Sequence, residues 1–254
     1  MQLIRLFSLM VLLAVMGCKP DEPVPLPIPE PVPTGRLSIK LQHYWENPAT
    51  TFYPETWYVH SATADSFLFN KLRYYLSGFY LLSTDSQRIP MPAAYRLVAV
   101  NGGVFTIDLT DLPTGSYAGM GFYLGIDSAR NFNGQFAGEL HPDYGMYRNA
   151  QEGFNFLWAA GITPAAPNDS FEYRLYGFDV LHPVHRRVEV FFGQERLHLA
   201  ADHQPELGLY VNTAAIWGAG TSPSHRHSVL QPGAEAAAMA QRFVGAFAFE
   251  HIHQ

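Results

Sequence analysis

One cysteine in 254 residues leaves this chain without the means to close a disulfide within itself. Charge is scarce as well: Asp, Glu, Lys and Arg make up 15% of the residues, and the net charge of −6 comes without any basic run. A nucleic-acid partner needs a concentrated basic face, so that class of function is set aside. A helix needs about 20 apolar residues to cross a bilayer, and the apolar run at 6–16 is far shorter. Catalytic signatures are missing too, with no Gly-x-Ser-x-Gly, no glycine-rich phosphate loop after a strand and no His-Glu-x-x-His. The chain therefore reads as a non-enzyme.

The one cysteine is placed where it decides the compartment. Arg5 supplies a positive start, residues 6–16 an apolar core of signal-peptide length, and Gly17 a small residue directly before Cys18. That pattern predicts a lipoprotein signal over 1–17, with Cys18 as the acylated first residue of the mature chain. The chain is then membrane-anchored in the bacterial cell envelope, on the outer membrane, and keeps no free thiol for a metal. Residues 19–34 read KPDEPVPLPIPEPVPT. Proline at nearly every second position favours extended polyproline II, which makes 18–35 a stiff tether.

The remainder, 36–254, holds the material for a core, since 48% of the whole chain is hydrophobic and 14% aromatic. Residues 36–45 alternate, with Leu37, Ile39, Leu41, His43 and Trp45 on one face and Ser38, Lys40, Gln42 and Tyr44 on the other, which predicts a half-buried strand. Further strands are expected at 67–82, 95–100, 104–109, 117–126, 154–158, 171–180, 187–192, 196–200 and 207–212. Asn101-Gly102 gives a hairpin signal between the second and third of these. Short strands joined by Gly and Pro turns predict a mainly β protein, a single antiparallel β-sandwich with long loops. One C-terminal helix is expected over 231–249, from Pro232 in its first turn and the helical spacing of Ala236, Met239, Ala240, Phe243, Val244 and Phe247.

The stretch from 122 to 161, FYLGIDSARNFNGQFAGELHPDYGMYRNAQEGFNFLWAAG, stands apart. Alternation stops after Ile126 and returns only at Phe154. Loops of that length in compact domains are uncommon and often functional. Asp127, Asn131 and Asn133 can bond their own backbone in Asx-turns, and glycines such as Gly145 supply positive φ, so the loop is expected to hold a fixed shape.

The same residues carry a family resemblance. Gly125-Ile126-Asp127-Ser128-Ala129-Arg130-Asn131, then Gly138-x-Leu140-x-Pro142 and Gly145-Met146, resemble the MbnP-like family of copper-binding bacterial envelope proteins. Lys71-Leu72-Arg73-Tyr74-Tyr75-Leu76-Ser77 and Leu112-Pro113-x-Gly115-x-Tyr117 are similar to that family's strand and turn motifs. Two departures stand out. The family's paired tryptophans after Gly-Met are replaced by Arg148 and Ala150, and its aromatic-His pair by Tyr173-Arg174.

The resemblance implies copper handling in the envelope, and the residues on which that expectation is placed are His43, His141 and Met146. A His/His/Met set suits Cu(I), provided that the first strand runs beneath the loop. Three further pairs among the eleven histidines, His182/His185, His225/His227 and His251/His253, are weaker candidates. The last two pairs fall in a loop and at a C-terminus where fraying is the default. The missing tryptophans and Arg174 support an alternative, a scaffold or partner-binding lipoprotein that keeps the fold without the metal site.

Overall fold

The computed structural model describes residues 33–92, 94–218 and 222–254. The signal segment and Cys18 lie outside the described residues, as does all but the end of the tether. Within residues 33–254 the chain forms a β-sandwich with one C-terminal helix.

The chain lays down β1 (Thr34–Trp45), β2 (Asn47–Thr51), β3 (Trp57–Val59), the long β4 (Ser66–Ser83), β5 (Arg88–Pro90), β6 (Tyr95–Ala99), β7 (Val104–Pro113) and β8 (Gly115–Leu124). After β8 come α1 (Ser128–Phe132), two single 3₁₀ turns, and the small ladder of β9 (Tyr147–Asn149) and β10 (Gly153–Phe154). Next are β11 (Leu157–Ile162), β12 (Ser170–Leu175), β13 (Arg186–Phe191), β14 (Leu197–Leu199) and β15 (Glu206–Asn212). The chain ends with α2 (Pro223–Arg226), β16 (Ser228–Val229), α3 (Ala234–Val244) and β17 (Phe247–His253).

Two large sheets result. The smaller runs β17-β15-β1-β2, with β7 also on β1. The larger runs β13-β8-β4-β11-β12-β16, with β3, β5, β6 and β14 at its margins. Most pairings are antiparallel; β1 with β15 and β12 with β16 are parallel. Alternation in β1 buries Leu37, Ile39 and Leu41 completely, and they meet Leu72, Tyr74 and Leu76 of β4 and Phe122 of β8 in one core. β4 does not alternate between buried and exposed through its middle. Tyr74 faces the core, where its ring meets Phe243 and Phe247, while Tyr75 faces the opposite side and is covered by the 127–155 excursion through Phe154.

The structure departs from the sequence reading in several places, among them the strand expected at 171–180, which stops at Leu175. β1 begins at Thr34, inside the segment assigned to the tether. The Asn101-Gly102 turn closes no hairpin: β6 pairs with β4 and β7 with β1, so the turn carries the chain from one sheet to the other. Gly103 makes that crossing possible at φ +57, its N–H donating to Phe52 O and its carbonyl accepting from His43 N–H. Finally, the C-terminal helix stops at Val244, and 247–253 form a strand against β15. The buried stripe Ala236, Met239, Ala240 and Phe243 is helical. Phe247 fits the same spacing, but Gly245 caps the helix and FAFEHIH satisfies a strand period that β15 leaves a free edge to receive.

Candidate functional site

The excursion between β8 and β11 is built rather than slack. Asp127 caps α1, with Oδ1 accepting from Arg130 N–H at 2.9 Å and Oδ2 from the Tyr95 hydroxyl at 2.6 Å. These bonds hold its carboxyl below the usual range, against the opposing effect of burial. Asn131 is buried and ties α1 to β10: Oδ1 accepts from Phe154 N–H at 3.0 Å and Nδ2 donates to Glu152 O at 3.4 Å. A Cβ on residue 153 would sit 1.9 Å from Asn131 Nδ2, so glycine is required there. Gly145, at φ +71, ends the second 3₁₀ turn in the left-handed conformation. Glu139 fastens the excursion to β6 through Leu97 N–H and Arg96, and Arg73 of β4 donates to Tyr144 O at 2.6 Å.

His43, His141 and Met146 have three different surroundings, and no contact joins them. His43 lies in the core under β4, 1% exposed. Its Nε2 is 2.7 Å from Tyr74 Oη and its Nδ1 is 3.3 Å from Gly103 O, so both ring nitrogens are engaged. Burial pushes its pKa down to about 4 and keeps the ring neutral. The excursion covers the other face of β4, where Tyr75 donates to Glu139 O at 2.8 Å. A sheet therefore separates His43 from the loop residues. Met146 is completely buried at the end of the excursion, with its carbonyl taken by Asn155. His141 is half exposed, its Nδ1 turned to Asp143 at 3.3 Å.

Two of the positions at which this chain departs from the family motifs, 148 and 174, hold guanidinium groups, and the third, Ala150, has no polar side chain. Arg148 pairs with Glu152 at 3.1 Å and lies 4.0 Å over the Tyr176 ring. Arg174 pairs with Glu172 at 2.7 Å and lies 4.0 Å from the centroid of Trp158, which Lys71 also meets at 3.5 Å. Burial, then Arg73 and Arg174, lowers the Lys71 pKa. Arginine cannot ligate a cation, so neither Arg148 nor Arg174 can hold copper.

A cavity of 690 Å³ beside the excursion is lined by Tyr95, Tyr123, Asp127 and His185, among others. Both Asp127 oxygens are already bonded, and the His185 ring stacks on Tyr123 at 4.8 Å. Of the weaker pairs, His182 Nδ1 is hydrogen-bonded to Asp179 Oδ2 at 3.0 Å and His225 Nδ1 to the Ser224 hydroxyl at 2.8 Å. His251 and His253 differ: β17 holds them side by side, and Glu206 of β15 joins them, with one donor atom from each within 4.8 Å of the others. The sequence shows the His-x-His pair but not Glu206, because only the β15–β17 pairing brings it across 45 residues of chain.

Sandwich and loop platform together define a β-sandwich protein with an ordered excursion packed on the outside of its larger sheet. The MbnP family profile matches residues 34–231, which spans both parts, and the chain belongs to the MbnP family. Among solved structures, MbnP from Methylosinus trichosporium is similar at 14% identity over 69% of this chain and 76% of its own, with a TM-score of 0.45. No curated protein matches the chain.

Proposed function

We propose that this protein is a membrane-anchored envelope lipoprotein that handles copper without catalysing a reaction on it, and that its central excursion serves as scaffold. The family match over 34–231 supports the copper role. Cys18 behind its apolar run supports the anchor. The scaffold role follows from Arg148, Arg174 and the separation of His43 from the loop.

Copper content is the test. The full-length protein, purified from the membrane fraction of its native cells, should carry copper near one equivalent, and Cys18→Ser should move it to the soluble fraction. Protein free of copper, and unable to take up either Cu(I) or Cu(II) against a competing chelator, would reject the copper role. A membrane-bound Cys18→Ser variant would reject the anchor.

A second reading is favoured by one observation, the Lys71-Trp158-Arg174 stack on the outer face of the larger sheet. A cation-flanked indole is a common contact for a protein partner. If copper is absent, cross-linking from this face to an envelope protein, lost in Trp158→Ala, is the expected outcome.

A further inference from the structure

Glu206 opens β15, and its cross-strand partner on β17 is His253. Two residues back, His251 stands opposite Gly208, so these four positions share the outer face while Leu207 and Ile252 point to the core. A bulge between Gly208 and Leu209 leaves Glu250 as the extra residue and sets His251 over the glycine. A Cβ at position 208 would lie 2.5 Å from His251 Cε1 and 2.6 Å from Nδ1, so any other residue would displace the imidazole.

The three donor atoms lie within 4.8 Å of one another, and one pair stands at the separation a shared ion would set. His251 Nε2 lies 3.6 Å from Glu206 Oε1, which is too long for a hydrogen bond. Two donors held at about 2.0–2.2 Å by one tetrahedral ion stand about 3.3–3.6 Å apart. His251 Nε2 is shielded from solvent and has no hydrogen-bond partner. The His251 and His253 rings are 4.3 Å apart between centroids. Behind His251, Glu250 Oε2 lies 3.6 Å from Nδ1, and Glu250 is itself hydrogen-bonded to the Tyr210 hydroxyl. At that distance Glu250 is likewise beyond hydrogen-bond reach of Nδ1 and is only a nearby carboxylate. The second Glu206 oxygen faces Lys40 Nζ at 3.7 Å, and Lys40 also donates to Thr106 Oγ1 at 3.1 Å.

We propose that Glu206, His251 and His253 form a surface site for one divalent ion of borderline softness, of the Zn(II) or Cu(II) class, with a coordination position left open to water or to a donor from a second molecule. Two imidazoles and a carboxylate without sulfur select this class over soft Cu(I). The proposal deepens the metal-handling reading by giving it a seat, and both histidines lie beyond residue 231, where the family match ends.

Zn(II) alone is the probe. The full chain, titrated with Zn(II) against a chelator at pH 7.5, should bind one equivalent tighter than about 10 μM. Glu206→Gln and the double variant His251→Ala/His253→Ala should each weaken binding at least about tenfold. Gly208→Val removes no donor but should weaken binding to a similar degree by displacing His251. His141→Ala should leave it unchanged. Near-UV circular dichroism identical to wild type in His253→Ala, at an exposed position, separates a lost ligand from a lost fold. Wild-type protein that holds no Zn(II) in this range, or a double variant that holds it as well as wild type, would overturn the proposal. Zn(II) binding here in a copper-free protein leaves the seat standing and removes the copper role, whereas a copper-loaded protein whose Zn(II) binding these variants do not weaken keeps the copper role and removes the seat.

Discussion

A buried imidazole with both nitrogens engaged, as in His43, is a pH-sensitive stabiliser rather than a spare ligand. Its folded pKa of about 4 lies below the ordinary 6.5. Above 6.5 both folded and unfolded states carry it neutral; between 6.5 and 4 the unfolded chain takes up a proton that the fold excludes, so stability falls as pH falls. Denaturant titrations of wild type and His43→Gln at pH 7.5 and 4.5 should show a larger acid loss in wild type, by about 3 kcal/mol at most. Equal losses would refute the assignment. Asn131 is the second residue on which much rests, because its side chain satisfies Phe154 N–H inside the protein. Asn131→Ala should cost about 1–3 kcal/mol by leaving that donor unpaired, read as a lower Tm with β content unchanged. The sequence marked Asn131 as a turn former; that it reaches across 23 residues is a tertiary fact.

At the scale of elements, β17 changes the picture most. Helical and strand periods coincide at Phe243 and Phe247, so spacing alone carried the helix too far, and the decision came from Gly245 and the free edge of β15. Phe247 lies between Tyr74, Phe122 and Phe243 and is nearly buried. Phe247→Ala should cost about 3–5 kcal/mol in urea unfolding. A cost below 1 kcal/mol, the scale of an exposed change, would mean that β17 is not docked. Amides of β17 on the β15 side should exchange slowly with solvent, which a frayed terminus cannot do. The excursion is the other lesson at this scale. Its glycines and Asx residues predicted an ordered loop, but not the face of β4 on which it settles. That face is set by Tyr75 and Arg73 at alternate positions of one strand, and it determines that His43 and Met146 are kept apart.

For the whole molecule, β1 is the organising strand, since it pairs with β7 and with β15, which closes the first and last parts of the domain in parallel. Such long-range pairing makes folding slow, in the range of milliseconds to seconds or beyond, and makes the two sheets interdependent. Unfolding of residues 33–254 should therefore be one transition. Tryptophan fluorescence, to which the buried Trp45 and Trp217 contribute, and far-UV circular dichroism should give coincident curves. An early separate fluorescence change would show that the sheets part independently. By itself the sequence determined the β class, the alternation of β1, the glycine-marked excursion and the family, since each is written in residues close together along the chain. The tertiary structure alone decided where β17 lies, that a sheet separates His43 from His141 and Met146, and that Glu206 meets His251 and His253. Those outcomes depend on which strand edges remain free to pair, and edge pairing is a property of the assembled sheets that no local stretch encodes.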